Sequence, residues 1–207
     1  MRRSHLLKLV DIDDTTFKNR LKQDLLPIEV STPEAAGRRR DYEPSDVLAL
    51  AMSVALVGGG MPVADAKAAV LRVSHYELQH WWPAVVEPSC PPVFLGVATF
   101  VPNKGRGAGR ETTAQFLGLI GSLSGMTRTT NRCCLEDLLP NTICCNLVNM
   151  NAVVAQIRAR ATEHCINLDI DALYAVEPET FNEFYSVADR KARDALIEKA
   201  KTGCRGS

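Results

Sequence analysis

Residues 15–27 read TTFKNRLKQDLLP, and this stretch decides how the first third of the chain folds. Phe17, Leu21 and Leu25 recur every four residues, which places them on one face of a helix. Pro27 cannot continue a helix and is expected to stop it. We therefore predict an amphipathic helix with an apolar inner face and a polar outer face.

A second short helix is predicted just before this one. Residues 4–10, SHLLKLV, supply an apolar side, and Ser4 is the predicted cap. The acidic turn DIDD then offers Asp13 or Asp14 as the N-cap of the following helix. A short helix, a tight turn and a second amphipathic helix are the parts that present the second helix to the major groove of DNA.

Two more helices are predicted after a loop. The sequence EPSD at 43–46 places Pro44 at the first helical position and Asp46 at the third, where a carboxylate suits the helix dipole. The residues that follow are apolar on nearly all sides, which predicts a core helix ended by GGG at 58–60. MPVADAKAAVLRV at 61–73 begins the next helix.

Cations and short polar side chains are concentrated in the same region. The chain balances 24 Lys and Arg against 24 Asp and Glu, yet residues 1–40 carry nine of the former and six of the latter. Three adjacent arginines repel one another in a free protein but are favourable beside phosphates. Polar groups can read base edges, so DNA contact is predicted; a solvated helix face and an ordinary basic loop are the alternatives. The predicted contacts are Thr15, Thr16, Lys18, Asn19, Arg20, Lys22, Arg38, Arg39, Arg40 and Tyr42.

The order of these predicted helices and of the arginine-rich loop resembles the winged helix–turn–helix of MerR-like regulators. It also resembles the excisionase-like variants. The resemblance covers about residues 4–72 and rests on DLLP at 24–27, RRRDY at 38–42, the spacing from Tyr42 to Asp46, and GGMPVADA at 59–66. It implies a recognition helix bearing Thr15, Thr16, Lys18, Asn19 and Lys22, and a wing bearing Arg38, Arg39, Arg40 and Tyr42. The core residues it implies are Phe17, Leu21, Leu25, Val47, Leu50 and Val54.

The chain departs from this family at two places. Asp24 stands where the family often has glycine. Tryptophans and prolines follow the fourth helix, where the family usually has a long coiled coil for dimerisation. A helix predicted over 178–201 is the candidate dimer element, and its alternative role is to pack on its own domain.

The rest of the chain predicts a mixed domain, which makes the fold class α+β. A winged helix–turn–helix domain over 1–75 is followed by an α/β domain over 76–207 that includes the C-terminal helix. A connector is predicted over 75–92 and a strand over 93–101. A short helix, or less favourably a strand, is predicted over 112–123, and a buried strand over 143–148. A helix capped by Asn149 or Asn151 follows, and its apolar face consists of Val153, Val154, Ile157 and Ala161.

The cysteines, the glycine-rich loop and the histidines do not predict a chemical function. The pairs Cys133, Cys134 and Cys144, Cys145 are interpreted as small buried side chains in adjacent strands, with metal binding or redox sensing as the alternative. The loop NKGRGAGR at 103–110 is interpreted as a surface loop, with a DNA-backbone contact or an effector lid as alternatives. The four histidines are scattered and no nucleophile or metal motif occurs, so no catalytic residue, metal ligand or cofactor is predicted.

Together these features predict a sequence-specific DNA-binding transcriptional regulator that is not an enzyme. We expect a cytoplasmic homodimer on double-stranded DNA, with RNA polymerase and a small-molecule effector as further candidate partners and no membrane. No stretch reaches the ~18 apolar residues of a membrane helix. The alternatives are a phage-type DNA-packaging or excisionase-like architectural protein, and a small-molecule-binding protein or enzyme.

Overall fold

The computed structural model describes residues 1–28, 41–73, 75–100, 115–122 and 142–174. Within these ranges the fold is of the α+β class, as predicted, with helices and a small antiparallel sheet. The elements are α1 Arg3–Val10, α2 Asp14–Lys22, α3 Pro44–Gly58, α4 Val63–Arg72, α5 His75–Val86, β1 Val93–Phe100, β2 Gln115–Ser122, β3 Thr142–Asn149, α6 Met150–Glu163 and a 3₁₀ turn Asp171–Tyr174.

Internal contacts divide the chain into two compact units. Unit 1 comprises Met1–Leu71 and Ala152–Ala175, and unit 2 comprises Arg72–Asn151 and Val176–Ser207. The division predicted from the sequence, at residue 75, placed all of α6 in the second domain, whereas most of α6 belongs to unit 1. A pattern along the chain does not show that a later segment returns to an earlier unit, because that return depends on long-range contacts.

Unit 1 is organised around α3, the most apolar of the helices described in it. Pro44 is its first residue, and Asp46 Oδ2 accepts a hydrogen bond from the Glu43 backbone N–H at 2.9 Å, which confirms the predicted helix entry. The helix α1 packs against α3 with Leu6 and Leu9 fully buried. Of the predicted core residues, three are fully buried (Phe17, Val47 and Leu50) and three are half-buried (Leu21, Leu25 and Val54).

The first two helices begin in different ways. Arg2 occupies the N-cap position of α1 with an extended backbone and no side-chain hydrogen bond to the helix, so the predicted Ser4 cap is wrong. Asp13 caps α2, as predicted, because its Oδ1 accepts a hydrogen bond from the Thr16 backbone N–H at 2.8 Å. The start of α2 is therefore fixed by its own sequence.

Among the described helices, three end at residues that have a left-handed backbone and are not glycine. They are Asp11 after α1 (φ 60°), Asp24 after α2 (φ 54°) and Cys165 after α6 (φ 51°). At Asp24 the backbone N–H donates to the Leu21 carbonyl at 3.2 Å, and the next N–H donates to the Arg20 carbonyl at 2.8 Å. This is a Schellman ending. It stops α2 at Lys22, ahead of the proline predicted to stop it.

The left-handed backbone of Asp24 at the end of α2 predicts how substitutions there change the free energy of unfolding. Replacing Asp24 by Gly should leave the protein about 1 kcal/mol more stable than replacing it by Ala, because a Cβ is strained at positive φ. Gln23, which has φ −91°, is the matched control, since Ala should there be at least as stable as Gly. Urea unfolding of the four variants measures this, and equal stability of the two Asp24 variants would contradict the assignment.

Unit 2 contains a three-stranded antiparallel sheet in the order β2-β1-β3. The central strand β1 was predicted, and its residues Val93, Leu95 and Val97 are fully buried. The preferred helix over 112–123 is wrong and its strand alternative is correct, because β2 pairs along its whole length with β1. A short apolar run fits either structure until its partner is known.

Most of the segment predicted as a connector, 75–92, forms the helix α5 (His75–Val86). Its prolines suggested irregular structure, but Pro83 is accommodated inside the helix, where it is exposed. Leu78, Trp82 and Val85 follow one another at helical spacing and are all at most 5% exposed. Burial of this face outweighs the helix hydrogen bond lost at the proline.

The strand β3 confirms the prediction of a strand over 143–148, but it is only partly buried. Cys145 is exposed, so the prediction that this cysteine is a buried core side chain is wrong. Leu147, two residues later on the same strand face, is 47% exposed, whereas Val148 is buried. In the described sheet β3 pairs with β1 and lies at one edge.

Asn151 connects three segments of unit 2 instead of capping α6. Its Oδ1 accepts a hydrogen bond from the Val93 backbone N–H at 2.7 Å, and its Nδ2 donates to the carbonyls of Ala84 and Val85 at 2.9 and 3.0 Å. One side chain thereby ties the end of α5 to the start of β1. Asn149, the other predicted cap, is the last residue of β3 and directly precedes α6.

The predicted apolar face of α6 is confirmed, since its residues are all at most 8% exposed; they are Val153, Val154, Ile157 and Ala161. Four predictions lie outside the described residues: the arginines 38–40, the loop 103–110, the pair Cys133 and Cys134, and the helix 178–201. Among the helices that are described, none combines the length and the apolar character needed to cross a membrane.

Candidate nucleic-acid interface

The outer face of α2 is a row of four exposed polar residues. Thr15, Lys18, Asn19 and Lys22 follow one another at the spacing i, i+3, i+4 and i+7, which is one side of a helix. All four are exposed to solvent. We call these four residues the α2 face. It joins two ammonium groups with an amide and a hydroxyl, the donors and acceptors that proteins use on phosphates and base edges.

The opposite side of α2 is held in the core of unit 1. Phe17 has no exposed surface and meets the ring of Tyr42 edge to face, with the ring centroids 6.2 Å apart. Tyr42 is itself only 6% exposed, and its backbone exchanges hydrogen bonds with Met1. The prediction of Tyr42 as a DNA contact is therefore corrected: its ring positions α2 from within.

Thr16 and Arg20, also predicted as contacts, flank the α2 face. Both are half-buried. The Thr16 backbone N–H serves the cap made by Asp13, and Nη1 of Arg20 is buried, without a hydrogen-bond partner in the described part of the chain. Thr16 and Arg20 are thus less accessible to a partner than the α2 face itself.

Asp14 sets the charge at the start of α2. Its carboxylate lies 2.6 Å from Lys18 Nζ and 3.2 Å from Arg3 Nε. The hydrogen bond from Lys18 holds the pKa of Asp14 below its usual value, with Arg3 adding to the effect. In the same turn, hydrogen bonds from Thr16 lower the pKa of Asp13. Both acids are therefore ionised at neutral pH, and Asp14 competes with any phosphate for Lys18.

Both ends of the α2 segment are held by cations from distant helices. At the far end, Lys67 Nζ donates to the Asp24 carbonyl at 2.7 Å and lies 2.9 Å from its carboxylate. At the near end, Arg160 of α6 donates to the Leu9 carbonyl at 3.3 Å and to Asp11 Oδ2 at 3.1 Å. Cations at helix C-termini also complement the helix dipole. These contacts fix the two turns that bound α2.

Sequence reasoning missed the ion pair between Asp14 and Lys18 and three further residues that shape this surface. Asp14 and Lys18 are separated by four positions, so their pairing could have been found from the sequence. Arg3, Lys67 and Arg160 act across folded distances, and no local pattern marks them. The arginines 38–40 lie outside the described residues, so the structure does not test the predicted wing.

No group of three or more His, Cys, Asp or Glu side chains that could hold a metal ion occurs among the residues that the structure describes. No protein-family model matches the chain, and no curated protein matches it. Function is therefore inferred from the geometry and charge of the α2 face.

Proposed function

We propose that the chain is a sequence-specific DNA-binding transcriptional regulator that places α2 in the major groove. The α2 face carries this proposal, because its four exposed polar residues lie on one side of a helix whose other side is locked in the core. A rigid helix with short polar groups and cations on one side suits the width and the hydrogen-bonding pattern of the major groove.

The helices around α2 support the same role. The short α1, the turn at 11–13 and α2 follow one another in the order of a helix–turn–helix. The resemblance to MerR-like regulators adds a winged arrangement, in which Arg38, Arg39 and Arg40 contact the backbone or enter the minor groove. The proposal includes a cytoplasmic homodimer that reads two half-sites on double-stranded DNA.

Selection of genomic fragments by the purified protein tests this function directly. We expect enrichment of a short common sequence, bound about a thousandfold more tightly than a scrambled duplex at the same salt concentration. Enrichment at promoters supports regulation, whereas a packaging or attachment site would support the architectural alternative. Failure to retain any fragment at low salt would overturn the DNA-binding proposal.

Asn19 gives a prediction about specificity. Replacing Asn19 by Ala should reduce discrimination at one base pair by about 1–3 kcal/mol, because a side-chain amide reads adenine through two hydrogen bonds. Binding to a scrambled duplex should change little. Fluorescence anisotropy with the selected site and its single-base variants measures this difference.

Asn167 provides the matched control for that experiment. It is exposed beyond α6, and Asn167→Ala removes the same amide without touching the α2 face. This variant should keep the wild-type base preference. Unchanged discrimination in the Asn19 variant at every position of the site would contradict a major-groove role for this residue.

A further inference from the structure

Within unit 1, residues of α1, α3 and α6 line a cleft of about 110 Å³. Most of its lining is apolar, and three polar side chains, Asp11, Gln156 and Arg160, stand beside the apolar part. Val10 and Ile157 in this lining are at most 2% exposed, so the apolar part is set into the core. The cleft thus combines an inner apolar region with a charged group close to solvent.

The cleft exists because small side chains line it where large ones would close it. Ala51 and Ala55 lie one helical turn apart on α3 and line the cleft together with Val153 and Ile157 of α6. Protein interiors rarely leave voids larger than a water molecule. An engineered apolar cavity of about 150 Å³ binds benzene, so the apolar part of this cleft suits a hydrocarbon group somewhat smaller than benzene.

Arg160 defines the polar end of that molecule. Its guanidinium carries five N–H donors, and the two hydrogen bonds described for it, to Leu9 and Asp11, leave further donors for a ligand. Asp11 is an exposed partner, with 79% of its side chain accessible. A planar guanidinium at the end of an apolar cleft matches a carboxylate attached to a short hydrocarbon chain.

We propose that this cleft binds a small aliphatic carboxylate. The hydrocarbon part lies against Ala51, Ala55 and Ile157, and the carboxylate binds Arg160. The bound carboxylate then places a second negative charge beside Asp11 on the same guanidinium. Because Asp11 belongs to the turn between α1 and α2, occupation of the cleft changes how the start of α2 is held. This coupling to DNA rests on the proposed function, whereas the binding site does not.

Calorimetric titration of the full chain with isobutyrate tests the site, and isobutyramide is the uncharged control of the same shape. We expect saturable binding of isobutyrate and binding of the amide about tenfold weaker or more. Ala55→Leu should remove binding by filling the cleft. The matched variant Ala64→Leu, at an exposed position of α4 that does not line the cleft, should bind like the wild type.

Arg160 is tested by two substitutions, since loss of its contacts could also loosen unit 1. Arg160→Gln should weaken isobutyrate binding about tenfold, and Arg160→Lys should fall between it and the wild type. Circular dichroism verifies that each variant is folded. Absence of saturable binding in the wild type, or full binding by the folded Ala55→Leu variant, would overturn the site.

The effect of isobutyrate on DNA affinity is measured in a separate titration. Isobutyrate should change the affinity of the wild type for its selected site and leave that of Ala55→Leu unchanged. Saturable isobutyrate binding without any change in DNA affinity would overturn the coupling. Absence of DNA binding with no ligand present would instead refute the proposed function, and the calorimetric result would still decide whether the site exists.

Discussion

Replacing Asn151 by Ala is expected to destabilise unit 2 by about 3 kcal/mol. The substitution removes three hydrogen bonds and leaves the Val93 N–H and the carbonyls of Ala84 and Val85 without their described partner. Each unsatisfied group in a partly buried place costs about 1 kcal/mol or more. Both tryptophans of the chain, Trp81 and Trp82, lie on α5, so their fluorescence during urea unfolding reports on this unit.

A second substitution at the same position separates hydrogen bonding from size. Asn151→Asp keeps the acceptor for Val93 but turns a carboxylate toward two carbonyl oxygens, which raises the pKa of that carboxyl in the folded state. The raised pKa means that the folded state binds the proton more tightly than the unfolded state. The Asp variant should therefore gain stability as the pH falls from neutral to about 4, whereas the Ala variant should not.

Asn19→Ala is the control for this experiment, because Asn19 is exposed on α2 and makes no described contact in unit 2. It should change stability by at most about 0.5 kcal/mol. A loss of similar size in the Asn19 and Asn151 variants would show that the three hydrogen bonds contribute little. A pH response shared by the Ala and Asp variants would argue against the orientation of the Asn151 amide.

Local chemistry made much of unit 1 predictable from the sequence. The cap at Asp13, the entry at Pro44 and the exposed α2 face each depend on residues close together in the chain. Where the local sequence pattern predicted the wrong secondary structure, packing or pairing with other residues determined the structure. The strand β2 is defined by its pairing with β1, and α5 tolerates Pro83 because Leu78, Trp82 and Val85 are buried.

The parts of the site that could not be predicted depend on distant contacts. Arg160 is separated from Asp11 by 149 positions, yet its guanidinium holds the turn before α2. Asp24 was noted as a replacement for glycine, but only its φ of 54° shows that it takes the left-handed conformation itself. The sequence predicted which side of α2 is exposed, and long-range contacts determine how firmly that side is held.

Replacing Lys18 and Lys22 together by Ala is expected to weaken DNA binding about 50-fold at ~0.1 M salt. Each lysine that neutralises a phosphate releases counterions and contributes a slope of about −0.9 to the dependence of affinity on salt concentration. Loss of two such contacts should flatten that slope by about 1.8 units. Anisotropy titrations at several salt concentrations, on the selected site and on a scrambled duplex, measure both quantities.

Two further substitutions make this prediction specific to the α2 face. Arg158→Ala removes one positive charge from α6, where Arg158 pairs with Asp171, and should leave the salt slope unchanged. Asp14→Asn should act in the opposite direction and strengthen binding several-fold, because it removes a negative charge and releases Lys18 and Arg3 for phosphates. If Arg158→Ala, which removes one charge, reduced log affinity and slope by half as much as the double lysine variant, which removes two, only net charge would matter and α2 would have no special place on DNA. If Asp14→Asn weakened binding instead, the start of α2 would lie away from the phosphate backbone, and the proposed docking of this helix would have to be abandoned.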